Sequence, residues 1–125
     1  MRPKSTTLTA HELELMKIVW QHDDGVTVRD VYEKLRTQRA IAYTTVMTSL
    51  KTLEQKGHLK TSQQDRAHVY RPARPKQQVI KDMVRDFVDR VFNGSSRPLV
   101  LHLLEDSQIS ESELREITRM LGKKR

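Results

Sequence analysis

AYTTVMTSLKTLEQKG, residues 42–57, carries two chemistries on one helical repeat. At about 100° of rotation per residue, Val46, Leu50 and Leu53 fall in a narrow arc, while Thr44, Thr48, Lys51 and Gln55 cluster on the far side. One arc packs and the other is free to touch something. Threonine is a mediocre helix former, because its branched side chain loses rotamer freedom, so Thr44, Thr45, Thr48 and Thr52 are poor choices for helix stability alone. Their hydroxyls suit phosphates or base edges, their methyls suit the thymine methyl, and Lys51 suits guanine or phosphate. The pattern predicts a DNA-reading helix, against the plainer reading of a solvated helix face.

Upstream, Thr9-Ala10-His11-Glu12 matches the Ser/Thr-x-x-Glu capping box and predicts a helix starting near Ala10, after a flexible basic arm over residues 1–8. Leu13, Met16 and Trp20, broadened by Leu15 and Val19, form its apolar stripe until Asp23-Asp24-Gly25 stops it, and Trp20 is expected in the core. Thr27 with Asp30 caps a second helix with Val28, Val31 and Leu35 inward, ending in the polar stretch from Arg36 to Arg39. Gly57 suits the C-cap of the third helix, since glycine reaches the left-handed conformation freely. Three short helices, the third with polar contact chemistry, make a helix-turn-helix.

Downstream, residues 59–63 and 67–71 are short candidate strands around Gln64-Asp65-Arg66, and Val69 with Tyr70 has the character strands favour. Such a hairpin after the third helix is a wing. Pro72 and Pro75 are expected to end the pairing, because proline cannot donate to a ladder, and to separate a domain over residues 1–75 from one over 76–125. The expected fold is mostly α with a small β-hairpin wing: an N-terminal winged helix-turn-helix and a C-terminal helical region.

In that second region Ile80, Val84, Phe87 and Val91, widened by Val79, Met83, Val88 and Phe92, form a stripe too broad for a solitary surface helix, ended by Asn93-Gly94. A short helix over residues 98–105 with Leu99 and Leu103 follows, then one capped by Ser110 and Glu113 and carrying Leu114, Ile117 and Leu121. Three helices in about 50 residues cover one another poorly, so these apolar residues are expected to pair with an identical partner in a two-fold dimer.

The 125 residues hold 23 Lys and Arg against 16 Asp and Glu, and the isoelectric point of about 9.9 lies in the nucleic-acid-binding range. The excess is uneven: residues 1–75 have 13 basic and 8 acidic side chains, residues 76–125 have 10 and 8. Absence of cysteine excludes disulfides, thiolate metal sites and cysteine nucleophiles, and fits a reducing compartment. With neither a signal-peptide core nor a run approaching the ~18 apolar residues of a membrane span, a cytoplasmic protein without membrane insertion is expected.

Enzymatic readings find little support. His11, His22, His58, His68 and His102 are scattered, and HELEL at residues 11–15 lacks the second histidine of H-E-x-x-H. Asp23-Asp24 and Glu105-Asp106 sit where helices should end. No Gly-rich phosphate loop exists, and no catalytic residue, metal or cofactor is expected. Two rivals to DNA reading are a winged-helix adaptor that binds protein and a regulator with a small-molecule pocket. The threonine face argues against the first, since protein interfaces favour aromatic, Met or Arg anchors.

LTAHELELMKIVW (8–20), AYTTVMTSLKTLEQKG (42–57), DRAHVYRP (65–72) and FNGSSRPLVLHLLED (92–106) together resemble the penicillinase-repressor family of winged-helix transcriptional regulators, the BlaI/MecI/CopY type, over nearly the whole chain. The resemblance implies a homodimeric repressor on a palindromic operator in double-stranded DNA, with half-sites roughly 34–36 Å apart or a multiple of it. By position it puts Thr44, Thr45, Thr48 and Lys51, with Thr52, on the major-groove side, and Tyr43 at the helix N-terminus near phosphate. Arg66 at the wing tip would reach phosphate or the minor groove, and His68 would contact phosphate. Two departures stand out. The copper-responsive branch carries a C-terminal cysteine cluster that this chain lacks. The antibiotic-responsive branch is cut by a sensor peptidase at an Asn-Phe bond, and the corresponding pair here is His102-Leu103.

Overall fold

The structure, a computed structural model, describes residues 7–106 and 108–123. In chain order the elements are α1 (Ala10–Trp20), α2 (Val28–Leu35), α3 (Tyr43–Gln55), β1 (Leu59–Gln64), β2 (Ala67–Pro72), α4 (Lys76–Phe92), α5 (Arg97–Glu105) and α6 (Glu111–Lys123). They form two compact units, residues 1–83 and 84–125. The division falls within α4, later than the change in sequence pattern at 75/76, because Val79 is buried in the first unit's core and Met83 packs against it.

In the first unit the expected capping box of α1 and the expected N-cap of α2 are both present, and each is a reciprocal capping box. Thr9 Oγ1 accepts from the Glu12 amide while Glu12 Oε1 accepts from the Thr9 amide, and Thr27 and Asp30 repeat the arrangement. These bonds satisfy amides that a helix start leaves open. The stripes then converge: Leu15, Met16 and Val19 of α1, Val31 and Leu35 of α2, and Val46, Leu50 and Leu53 of α3 are all fully buried. Trp20 lies only partly buried at the edge of this core. Leu8 is buried in it, which shortens the expected arm over residues 1–8; residues 1–6 of that arm lie outside the described residues.

α3 ends with Lys56 as C-cap and Gly57 beyond it at φ +87°, the left-handed residue that closes a helix C-terminus. Strands β1 and β2 pair antiparallel from Leu59↔Pro72 to Gln64↔Ala67, closed by the two-residue turn Asp65-Arg66, both at positive φ. Pro72 ends the strand as expected, but as its last paired residue, one beyond the expected range. The Ala73 amide bonds the His58 carbonyl beyond it, so Pro72 sits opposite Leu59 in a position whose N–H is not called on by β1. A bridge absent from the sequence reading ties Val26 to Tyr70 through two backbone bonds of 3.0 and 2.7 Å. Gly25 makes the approach feasible: at φ +90° any Cβ there would lie 2.5 Å from Val69 Cγ1.

The second unit holds the rest of α4 with α5 and α6. Asn93 and Gly94, both at positive φ, end α4, and Pro98 occupies the first turn of α5. Ser110 and Glu113 exchange hydrogen bonds of 2.9 and 3.1 Å at the start of α6. Among the described residues of this unit Val88 alone is a buried apolar residue, whereas Val84, Phe87, Val91, Leu101, Ile117, Met120 and Leu121 are exposed. No helix among the described residues is long and apolar enough to cross a membrane.

Candidate nucleic-acid interface

The two arcs of α3 are segregated as its sequence predicts. Its buried arc inserts Val46, Leu50 and Leu53 between α1 and α2, which fixes the helix and leaves Thr44, Thr45, Thr48 and Lys51 exposed. Unlike α1 and α2, α3 begins without a side-chain cap, because Ala42 at the N-cap has no acceptor to offer. Its first amides are therefore free of side-chain partners and carry the positive end of the helix dipole, a standing preference for an anion.

Tyr43 stands at this end, 41% exposed, with its ring edge-to-face on Tyr32 at 5.4 Å. Arg36 lies over the other ring of the pair, 5.8 Å from the Tyr32 centroid. Sequence reading missed this support, although Tyr32 follows Val28 by one helical turn and so shares its face of α2. Thr52 differs from the other threonines. It is half-buried and its hydroxyl donates to the Thr48 carbonyl at 3.0 Å, so its proton is committed within the helix.

Between α3 and the hairpin, Lys51 and Glu54 face Thr61, Gln63, His68 and Tyr70 across a cleft of about 460 Å³. His68 is thus brought beside the polar arc of α3, while Arg66 stands exposed at the hairpin tip. Burial and then the nearby Glu54 carboxylate push the Tyr70 hydroxyl up, which keeps it uncharged at neutral pH. At the far end of α3 Lys56 donates to Glu12 at 2.7 Å and to the Thr7 carbonyl at 3.3 Å. Burial would raise the Glu12 carboxyl, yet the bonds from Lys56 and Thr9 prevail and hold it below the ordinary carboxylate value.

The residues expected to pair two chains are divided. Val84, Phe87, Val91, Ile117 and Leu121 are exposed; Leu99, Leu103 and Leu114 are half-buried; Ile80, also half-buried, belongs to the first unit. His102 and Leu103 lie inside α5, their carbonyls accepting from Asp106 and Gln108 at 3.0 and 2.9 Å. The His102 ring packs beside Phe92 at 6.0 Å. No group of three metal-ligating side chains occurs among the described residues.

Three helices with the third presented outward, followed by a β-hairpin, define a winged helix-turn-helix protein. The chain matches the penicillinase repressor family over residues 8–123, and it belongs to that family of DNA-binding transcriptional repressors. It is 31% identical over 110 residues to the penicillinase repressor of Bacillus licheniformis, covering 88% of this chain and 85% of that one. With transcriptional regulator BlaI of Mycobacterium tuberculosis it shares 32% over 111 residues, covering 88% and 80%. Among solved structures, the Bacillus licheniformis BlaI monomeric form in complex with the blaP half-operator superposes with a TM-score of 0.50 at 28% identity, over 57% of this chain and 85% of that one. A Staphylococcus aureus MepR mutant bound to an oligodeoxyribonucleotide, 20% identical with a TM-score of 0.51 over 93% of this chain and 76% of that one, shares the fold.

Proposed function

We propose that this chain is a homodimeric, sequence-specific repressor, not an enzyme, that places one α3 in the major groove of each half of a palindromic operator and works in the cytoplasm. The observation that carries the reading is the division of α3. Val46, Leu50 and Leu53 are fully buried, which aims Thr44, Thr45, Thr48 and Lys51 outward from a helix whose first amides have no side-chain cap. Tyr43, braced by Tyr32, then takes a phosphate at the groove edge, and His68 and Arg66 extend the footprint along the hairpin. Thr52 contributes through its methyl, since its hydroxyl proton is engaged.

Arg66 has a further argument. At φ 70° it occupies a turn position where glycine or asparagine costs less, by about 1 kcal/mol, so the turn itself does not account for an arginine there, which supports a contact role. That the relative from Bacillus licheniformis is described on a half-operator supports half-site binding by one chain. Pairing of two half-sites requires the second copy, and the exposed row of Val84, Phe87 and Val91 on α4 with Ile117 and Leu121 on α6 is the apolar surface that would supply it. A sensor peptidase acting at His102-Leu103 would first have to unwind α5.

The decisive experiment recovers the operator by selection from random duplexes and then measures Thr48→Ala on operator and on random DNA. Base reading predicts a loss on the order of 1–3 kcal/mol on the operator and little on random DNA. Equal losses on both would remove Thr48 from base recognition. For Arg66→Ala, a phosphate contact predicts a salt slope reduced by about one unit, and an unchanged slope would take Arg66 out of the footprint.

A further inference from the structure

Side chains of a hairpin alternate between its faces. Thr61, Gln63, His68 and Tyr70 line the cleft beside α3, which puts Lys60 and Arg71, paired in register, on the opposite face. There a second cavity of about 560 Å³ opens, bounded by the end of α1 and by the segment of residues 72–76. That volume lies within the ~300–1,000 Å³ typical of small-molecule sites. Lys60, Arg71, Arg74 and Lys76 line it against the single carboxylate of Asp23, while Trp20, Pro72 and Pro75 give it an apolar side.

Two donors on residues that line this cavity are unused. The indole Nε1 of Trp20 and Nη1 of Arg74 are buried without a hydrogen-bond partner, a cost that a bound acceptor would return. Their neighbours are already committed. Arg71 donates to Ser62 Oγ at 2.8 Å and to the Asp24 carbonyl at 3.0 Å, and Arg74 is held through Nη2 on Asp82 at 2.5 Å. Arg74 is thus fixed by one nitrogen and free at another. The exposed Lys76 lies over the indole face, with Nζ 5.7 Å from the ring centroid, and it has no ion pair among the described residues, so it swings aside at little cost.

We propose that this cavity binds a small organic anion whose carboxylate or phosphate accepts from Trp20 Nε1 and Arg74 Nη1. Its apolar body lies against the indole, Pro72 and Pro75, with Lys60 and Lys76 supplying long-range attraction. DNA phosphate is the rival occupant, and the face is against it: the cavity lies on the side of the hairpin turned away from Lys51 and His68.

Trp20 is the one tryptophan of the chain, so its fluorescence reports the site directly. The full chain is titrated at fixed ionic strength with benzoate and, separately, with phenyl phosphate, and with benzylammonium as the cationic control. A saturable response to at least one anion and none to the cation is expected. Arg74→Lys keeps a charge beside Asp82 but removes Nη1, and should weaken the response roughly tenfold with melting unchanged. Lys60→Gln, at an exposed position, should weaken it less and serves if the Arg74 variant does not fold. No saturation by either anion up to about 10 mM, or saturation that both variants leave unaltered, overturns the proposal. So does a salt slope on random duplex DNA that falls by about one unit in Lys60→Gln, because that assigns the surface to DNA phosphate.

Discussion

The first unit seals its own core, and the second does not. Eight residues from α1, α2 and α3 converge to complete burial in the one, whereas among the described residues of the other Val88 is the buried apolar residue and Phe87, Val91 and Leu121 stand exposed. Each unit has helices opened by reciprocal side-chain caps, α1 and α2 in the first and α6 in the second, so the difference lies in geometry rather than in helix quality. Helices that cross can cover each other's stripes, but a stripe running round a long helix such as α4 needs more neighbours than α5 and α6 supply. One unit is finished by its own sequence, and the other leaves an apolar surface that the proposed second copy would cover.

The sharpest way to break that contrast is a cavity. Leu50→Ala removes the central inward residue of α3 and should destabilise the first unit by about 2–5 kcal/mol, equally at every protein concentration. A midpoint that shifted with concentration would mean that the first unit too depends on a partner. Next in size, Phe87→Asp puts a charge in the middle of the exposed α4 row. It should cost ~2 kcal/mol or more of association, read by sedimentation as dissociation into single chains, while the first unit melts as before. A variant that still sediments like the parent chain would place the interface elsewhere.

Much of the first unit was legible because its signals are local. Thr9 with Glu12, Thr27 with Asp30, and the two arcs of α3 are each contained within a few turns, where periodicity and capping chemistry leave few alternatives. What escaped depended on residues far apart in the chain. Val79 looked like part of the C-terminal stripe and is core to the first unit; Val26 bridges to Tyr70; Tyr32 braces Tyr43. The candidate site divides in the same way. Exposure of Thr44, Thr48 and Lys51 follows from their spacing, but the internal hydrogen bond of Thr52 and the positive φ of Arg66 follow from rotamer and turn geometry that spacing does not encode.

The smallest effect tests the edge of the sealed core. Glu12 is the one acid buried in the first unit among the described residues, and it ties the start of α1 to Lys56 at the end of α3. Its desolvation is outweighed by the bonds from Lys56 and Thr9, so its folded-state pKa lies below the ordinary 4.5. A depressed carboxylate stabilises the fold above its unfolded-state pKa, and that contribution is lost as pH falls through the folded-state value. Glu12→Gln should therefore lower the melting temperature at neutral pH and converge with the parent chain in acid, below about pH 4.5. The penalty at pH 7 should be about 1 kcal/mol, since a largely but not wholly buried ion pair offsets most of its own desolvation. Parallel melting curves across the whole range would show that Lys56 holds Glu12 by geometry alone, and that the first unit closes without help from charge.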